Sequence, residues 1–151
     1  MKPLLVLAWG NRSRGDDALG PLLLDALQVA MTPRQHERVE LMEAHQLQPE
    51  HALDLVGRTR VLLADVDPAA PAPFEVRAVG PLRDRTLASH ALSPAALLAV
   101  LEQLQRGAVP PVTLLALPAQ AFELGAAPGA GAQATLRAAC AWALRWVDDC
   151  A

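Results

Sequence analysis

The sequence predicts an α/β fold: a three-layer α/β/α sandwich around a mostly parallel, twisted sheet of about five strands. Two observations carry that prediction. Short apolar runs of strand length alternate with segments whose apolar residues recur at helical spacing. One run, RVLLADV (60–66), is almost continuously apolar, as expected of a strand covered on both faces. The size agrees. The chain has 151 residues, 52% of them hydrophobic, which suits a single domain spanning 1–151 with one adequate core.

In chain order, PLLVLAW (3–9) is a short buried strand ended by Gly10-Asn11. Leu19, Leu22, Leu23, Ala26, Leu27 and Ala30 then fall on one face of a helix. Pro21 has to sit near its start, because proline deep in a helix removes a hydrogen bond and clashes with the preceding turn. Asp16 and Asp17 therefore occupy the turn leading into it. RVELME (38–43) alternates as a second strand, and QPEHALDLVG gives a short helix stopped by Gly57. The third strand is 60–66. PFEVRAV (73–79) alternates and reads as an edge strand. Ser93-Pro94 is an N-cap and first-turn pair opening a helix with Leu97, Val100, Leu101 and Leu104 on one face. VTLLAL (112–117) is the last strand. From about Gly131, the residues Leu136, Cys140, Ala143 and Val147 stripe a final helix. The Ala/Pro/Gly-rich stretches at 68–73 and 125–132 read as loops.

The composition excludes several functions. The formal net charge is −3 and only 3% of residues are aromatic, with no Tyr, so neither electrostatic capture nor base stacking favours nucleic acid. No apolar stretch reaches the ~18 residues of a membrane span. MKPLLVLAWGN reads as a strand rather than a targeting segment. Cys140 and Cys150 would lie about 15 Å apart on one helix, too far to bridge. Free thiols favour a reducing compartment, so a cytoplasmic location is expected.

In open α/β sheets, ligands bind beyond the carboxyl ends of the strands. Asp16 and Asp17 follow the first strand, Glu43 and His45 the second, and Asp65 and Asp67 close the third, while His90 precedes the Ser93 helix. Asp17, Asp65 and His90 form a mixed oxygen and nitrogen set suited to nickel or zinc with open positions. Plainer roles compete. An aspartate before a helix commonly caps it or meets its dipole. Asp65 ends the most buried strand and needs some partner, structural or catalytic. A loop histidine such as His90 can be satisfied by backbone groups. His36 reads as solvated in a polar connection, His51 as a helix residue, and Asp67 as a turn residue before Pro68. Phosphate binding is disfavoured: GNRSRGDDALG matches neither the dinucleotide nor the P-loop spacing, and two carboxylates at a helix start repel phosphate. Cys140 sits in an apolar stripe that favours the inert thiol, and no G-x-S-x-G elbow is present.

Three stretches resemble one family. LVLAWGNRSRGDDALGPLLLDAL resembles the N-terminal signature of the [NiFe]-hydrogenase maturation endopeptidases, VLLADV their second signature, and SHALSPAALL their third. The resemblance implies a mainly parallel sheet between helices. It implies an endopeptidase that removes the C-terminal extension of the hydrogenase large-subunit precursor after metal insertion, with substrate-borne nickel as the recognition element. The metal-contacting positions match Asp17, Asp65 and His90. Relatives commonly carry Glu at the first; Asp17 keeps the carboxylate with one methylene less reach. EAHQLQPEHALDL stands where relatives often have glycines, and it resembles the branch serving cytoplasmic, NAD-coupled hydrogenases. On this reading the metal, or a water polarised by it, assists hydrolysis, Asp16 orients a ligand, and Arg12 and Arg14 meet the acceptor peptide unless they are merely exposed. A monomer is expected. The rivals are a non-catalytic, metal-sensing assembly chaperone for the same precursor and a small nucleotide-binding regulator.

Overall fold

A computed structural model describes residues 1–82, 92–105 and 107–150. The strands are β1 (Leu4–Trp9), β2 (Val39–Ala44), β3 (Arg60–Val66), β4 (Glu75–Val79) and β5 (Val112–Leu117). The helices are α1 (Leu19–Ala30), α2 (Pro33–Arg38), α3 (Ala52–Leu55), α4 (Pro94–Gln105) and α5 (Ala132–Asp149). The sheet has the order β2-β1-β3-β5-β4. Every neighbouring pair is parallel except β4 with β5. The mostly parallel five-stranded sheet expected from sequence is therefore present, with β4 at an edge as predicted.

Alternation along β1 builds a core on each side of the sheet. All six of its residues are buried. Leu4, Val6 and Ala8 point toward α1 and α5, while Leu5, Leu7 and Trp9 point toward α3 and α4. This is the period-2 geometry of a strand, and it makes three layers. In α1 the predicted stripe holds at Leu19, Leu23 and Leu27; Leu24 joins it, and Ala30 lies exposed at the end. In α4, Leu97, Leu98 and Leu101 are buried and Leu104 is exposed. The Ser93 hydroxyl caps α4 by accepting the Ala96 N–H at 3.1 Å. No helix among the described residues is long and apolar enough to cross a membrane.

One helix was not expected. The polar connection at 33–38 folds as α2, with Thr32 and Gln35 forming a reciprocal capping box around Pro33. His36 lies in this helix and its Nε2 sits 3.1 Å from the Gln28 carbonyl. Both cysteines are free and half-buried, and burial raises the pKa of the Cys140 thiol.

Candidate active site

The chain leaves β1 toward one side of the sheet, through α1 to β2, and β3 then lands on the other side of β1. The carboxyl ends of β1 and β3 thus flank a crevice at a reversal of strand order, where ligands of such sheets bind. After Trp9, Gly10 adopts φ +150° and an added Cβ would overlap the Asp17 carbonyl. Glycine here lets the strand turn tightly against the residue that supplies the carboxylate. Residues Gly15–Ala18 form a single 3-10 turn, and α1 starts directly after it.

A cleft of about 350 Å³ opens at this place, and Arg14, Asp17, His45 and Asp65 all line it. The Asp17 Oδ2 accepts the Asn11 N–H at 2.7 Å, which fixes the carboxylate across the turn. The Asp65 Oδ1 accepts the Val66 N–H at 2.8 Å, and the Trp9 side chain also donates to Asp65. Burial pushes the Asp65 carboxyl up to about 7 against the pull of the Val66 N–H, and the negative charge of Asp17 adds to the rise. Two carboxylates from separate strand ends therefore share one half-buried cleft and repel each other. A cation or an acidic proton would relieve that repulsion.

Of the predicted metal set, Asp17 and Asp65 come together; His90 lies outside the described residues. Among the described residues, no group of three His, Cys, Asp or Glu side chains is arranged to hold a metal ion. The cleft is bordered, among the described residues, by the His45 imidazole. Its signal in the sequence was its place directly after the end of β2, at Ala44.

The other rim candidates have partners elsewhere. Asp16 is 5% exposed, and its carboxylate neither caps the turn nor orients a rim group. It accepts the N–H groups of Gln120 (2.8 Å), Ala121 (3.1 Å) and Gly129 (2.5 Å), tying the turn to the β5–α5 loop. Burial raises its pKa, but the three donors prevail and hold it below the usual carboxylate value. Arg12 grips Asp25 with two nitrogens at 2.8 and 2.9 Å and Glu43 at 2.6 and 2.9 Å. That fork joins the turn to α1 and β2 and occupies Glu43. Arg14 is exposed and faces the cleft. Asp67 accepts the Ala69 N–H at 2.8 Å and the Arg77 Nη2 at 2.7 Å, so it closes the turn and links β3 to β4. His51 Nδ1 accepts the Gln48 N–H at 2.8 Å.

No protein-family model matches the chain, and no curated protein matches it. Solved structures do. The hydrogenase maturating endopeptidase HybD from E. coli superposes with a TM-score of 0.73 at 22% identity, over 99% of this chain and 93% of that one. The [NiFe] hydrogenase maturation protease HycI from Thermococcus kodakarensis KOD1 gives 0.72 at 16% identity, over 97% and 94%. The chain has the fold of the hydrogenase maturation proteases. An endopeptidase from Escherichia coli gives 0.71 at 23% identity, over 96% and 91%. Likeness over nearly the full length of each chain, at such low identity, is a likeness of architecture.

Proposed function

We propose that this protein is an endopeptidase that removes the C-terminal extension of a [NiFe]-hydrogenase large-subunit precursor once nickel has been inserted, acting in the cytoplasm. The observation that carries the reading is the pairing of Asp17 and Asp65 in one cleft at the strand-order reversal. Two carboxylates that repel each other in one cleft suit a substrate that brings its own metal. The donor chemistry fits: carboxylate oxygens from Asp17 and Asp65, with an imidazole from His90, leave positions on nickel for the precursor's own groups. In the substrate, nickel supplies a positive charge that draws the carboxylates to the segment to be cut. Asp17 and Asp65 then position the precursor, and the Asn11 N–H and the Trp9 side chain hold their orientation.

Nickel-loaded precursor mixed with the protein should lose a C-terminal peptide, visible as a drop in intact mass. Asp17→Asn and His90→Ala should abolish that loss while circular dichroism stays native. Undiminished cleavage by both variants would remove the site assignment, and equal cleavage of nickel-free precursor would remove metal recognition. Binding of the precursor by the wild type with no mass change would favour an assembly chaperone instead.

A further inference from the structure

A larger cavity, of about 620 Å³, opens on the other side of the Gly15–Ala18 turn, with Asp16 in its wall. Small apolar residues shape it: Ala72 and Pro73 from the β3–β4 connection, Pro118 after β5, and Ala130 before α5. The first turn of α5, an 18-residue helix, also lines it. Gly131 at the N-cap offers no side chain to that turn. The Ala132 N–H reaches the Gly129 carbonyl and the Thr135 N–H the Gly131 carbonyl, both at 3.1 Å. The N–H groups of Gln133 and Ala134 have no acceptor among the described residues. The positive end of a long helix is thus left open toward the cavity.

Thr135 supplies an independent observation. It is 4% exposed and lines the cavity, and its hydroxyl has no hydrogen-bond partner among the described residues. None of their buried side-chain polar atoms is sealed away from both partner and solvent, so the hydroxyl opens onto the cavity. A hydroxyl held in an apolar wall with no partner among the described residues is available to a polar group that enters the cavity. Asp16 leaves the seat available, because its own charge is already met by the three N–H groups of Gln120, Ala121 and Gly129.

We propose that this cavity captures the free C-terminal carboxylate of a peptide. The Gln133 and Ala134 N–H groups and the Thr135 hydroxyl hold the carboxylate, and small apolar side chains lie against the proline and alanine walls. That the peptide is the tail of the processed precursor rests on the maturation-protease reading. Asp16 in the cavity wall and Asp17 in the cleft are consecutive residues, so one turn separates the seat for the chain end from the carboxylates assigned to cleavage.

The test is amide NMR of the full ¹⁵N-labelled chain, titrated with acetyl-Val-Ala-Ala as the free acid and as the C-terminal amide. The acid should shift the Ala132–Thr135 signals saturably, and the amide should bind at least tenfold more weakly. Thr135→Val should weaken the acid severalfold. Gly131→Asp, at a position where an added Cβ meets nothing within 4 Å, places a carboxylate where it can cap the same N–H groups. It should abolish peptide binding while Tm stays at or up to about 1 °C above that of the wild type, so a folding defect cannot mimic the result. Equal binding of acid and amide, no saturable shift at Ala132–Thr135, or undiminished binding by Gly131→Asp would each overturn the proposal. Asp17→Asn should lose cleavage and keep peptide binding. If the wild type binds the acid but cuts no precursor, the protease reading fails and the carboxylate seat stands.

Discussion

Asp16 and Asp17 are adjacent and chemically identical, yet their surroundings give them different work. Asp16 is enclosed by three backbone donors, so Asp16→Ala leaves those N–H groups without their acceptor. The expected loss is about 3 kcal/mol, measured by urea denaturation. The pH dependence has a definite sign. Its pKa is lower in the folded state, so the stabilisation is fully present above the unfolded value of about 3.9. It fades as pH falls through the lower folded value. The gap between wild type and Asp16→Ala should therefore narrow below about pH 4. Asp65 behaves in the opposite way. Its folded pKa of about 7 lies above the unfolded value of about 3.9, so the stability it contributes is fully present below about pH 4, is lost as pH rises through about 7, and levels off above that. Asp65→Asn keeps an oxygen for the Val66 N–H and removes the charge. At pH 8 it should be more stable than wild type, by about 1–3 kcal/mol, while losing cleavage. A variant equally stable at pH 5 and pH 8 relative to wild type would contradict a raised Asp65 pKa.

Elements were legible in the sequence to the extent that burial left a period. The alternating and continuous apolar runs marked all five strands, and the stripes of α1, α4 and α5 followed the buried faces at Leu19, Leu23, Leu97, Leu101, Ala143 and Val147. Helix α2 buries none of its residues, so it has no stripe to read. Only the Thr32-Pro33…Gln35 pattern marked it, and that is a capping signal rather than a packing one. Thr32→Ala should remove the cap at a cost of about 1 kcal/mol. Faster amide exchange confined to residues 33–38, with the sheet unchanged, is the expected signature. Loss of protection across β1 instead would mean that α2 supports the core. Strand partners were less legible than strands. The alternation of β4 marked it as an edge, but its antiparallel pairing with β5 across an intervening α4 depends on tertiary packing. The same holds for Asp16, whose donors lie more than 100 residues away, and for Arg12, whose partners Asp25 and Glu43 sit on separate elements.

At the scale of the whole molecule, the topology is what gives the site its chemistry. Neither Asp17 nor Asp65 has an unusual sequence context for a residue at a strand end. The reversal at β1 brings them to one cleft: β1 pairs in parallel with β3 from Leu4–Arg60 to Ala8–Ala64, and the turn after β1, tied by the Asn11 N–H to the Asp17 carboxylate, carries Asp17 to the end of β3, where Asp65 stands. On the proposed reading the site acts as a unit: with one carboxylate neutralised, the other would not by itself draw in a cation of the right geometry. The effects of removing them should then be non-additive. Asp17→Asn and Asp65→Asn should each reduce cleavage of nickel-loaded precursor by about 10³-fold or more, and the double variant should lose little beyond either single change. Single-turnover mass spectrometry at saturating protein measures this directly, because it separates cutting from weakened encounter. Losses that multiply, the double variant falling by the product of the two single effects, would show that the aspartates act independently and that the shared-cation site is wrong.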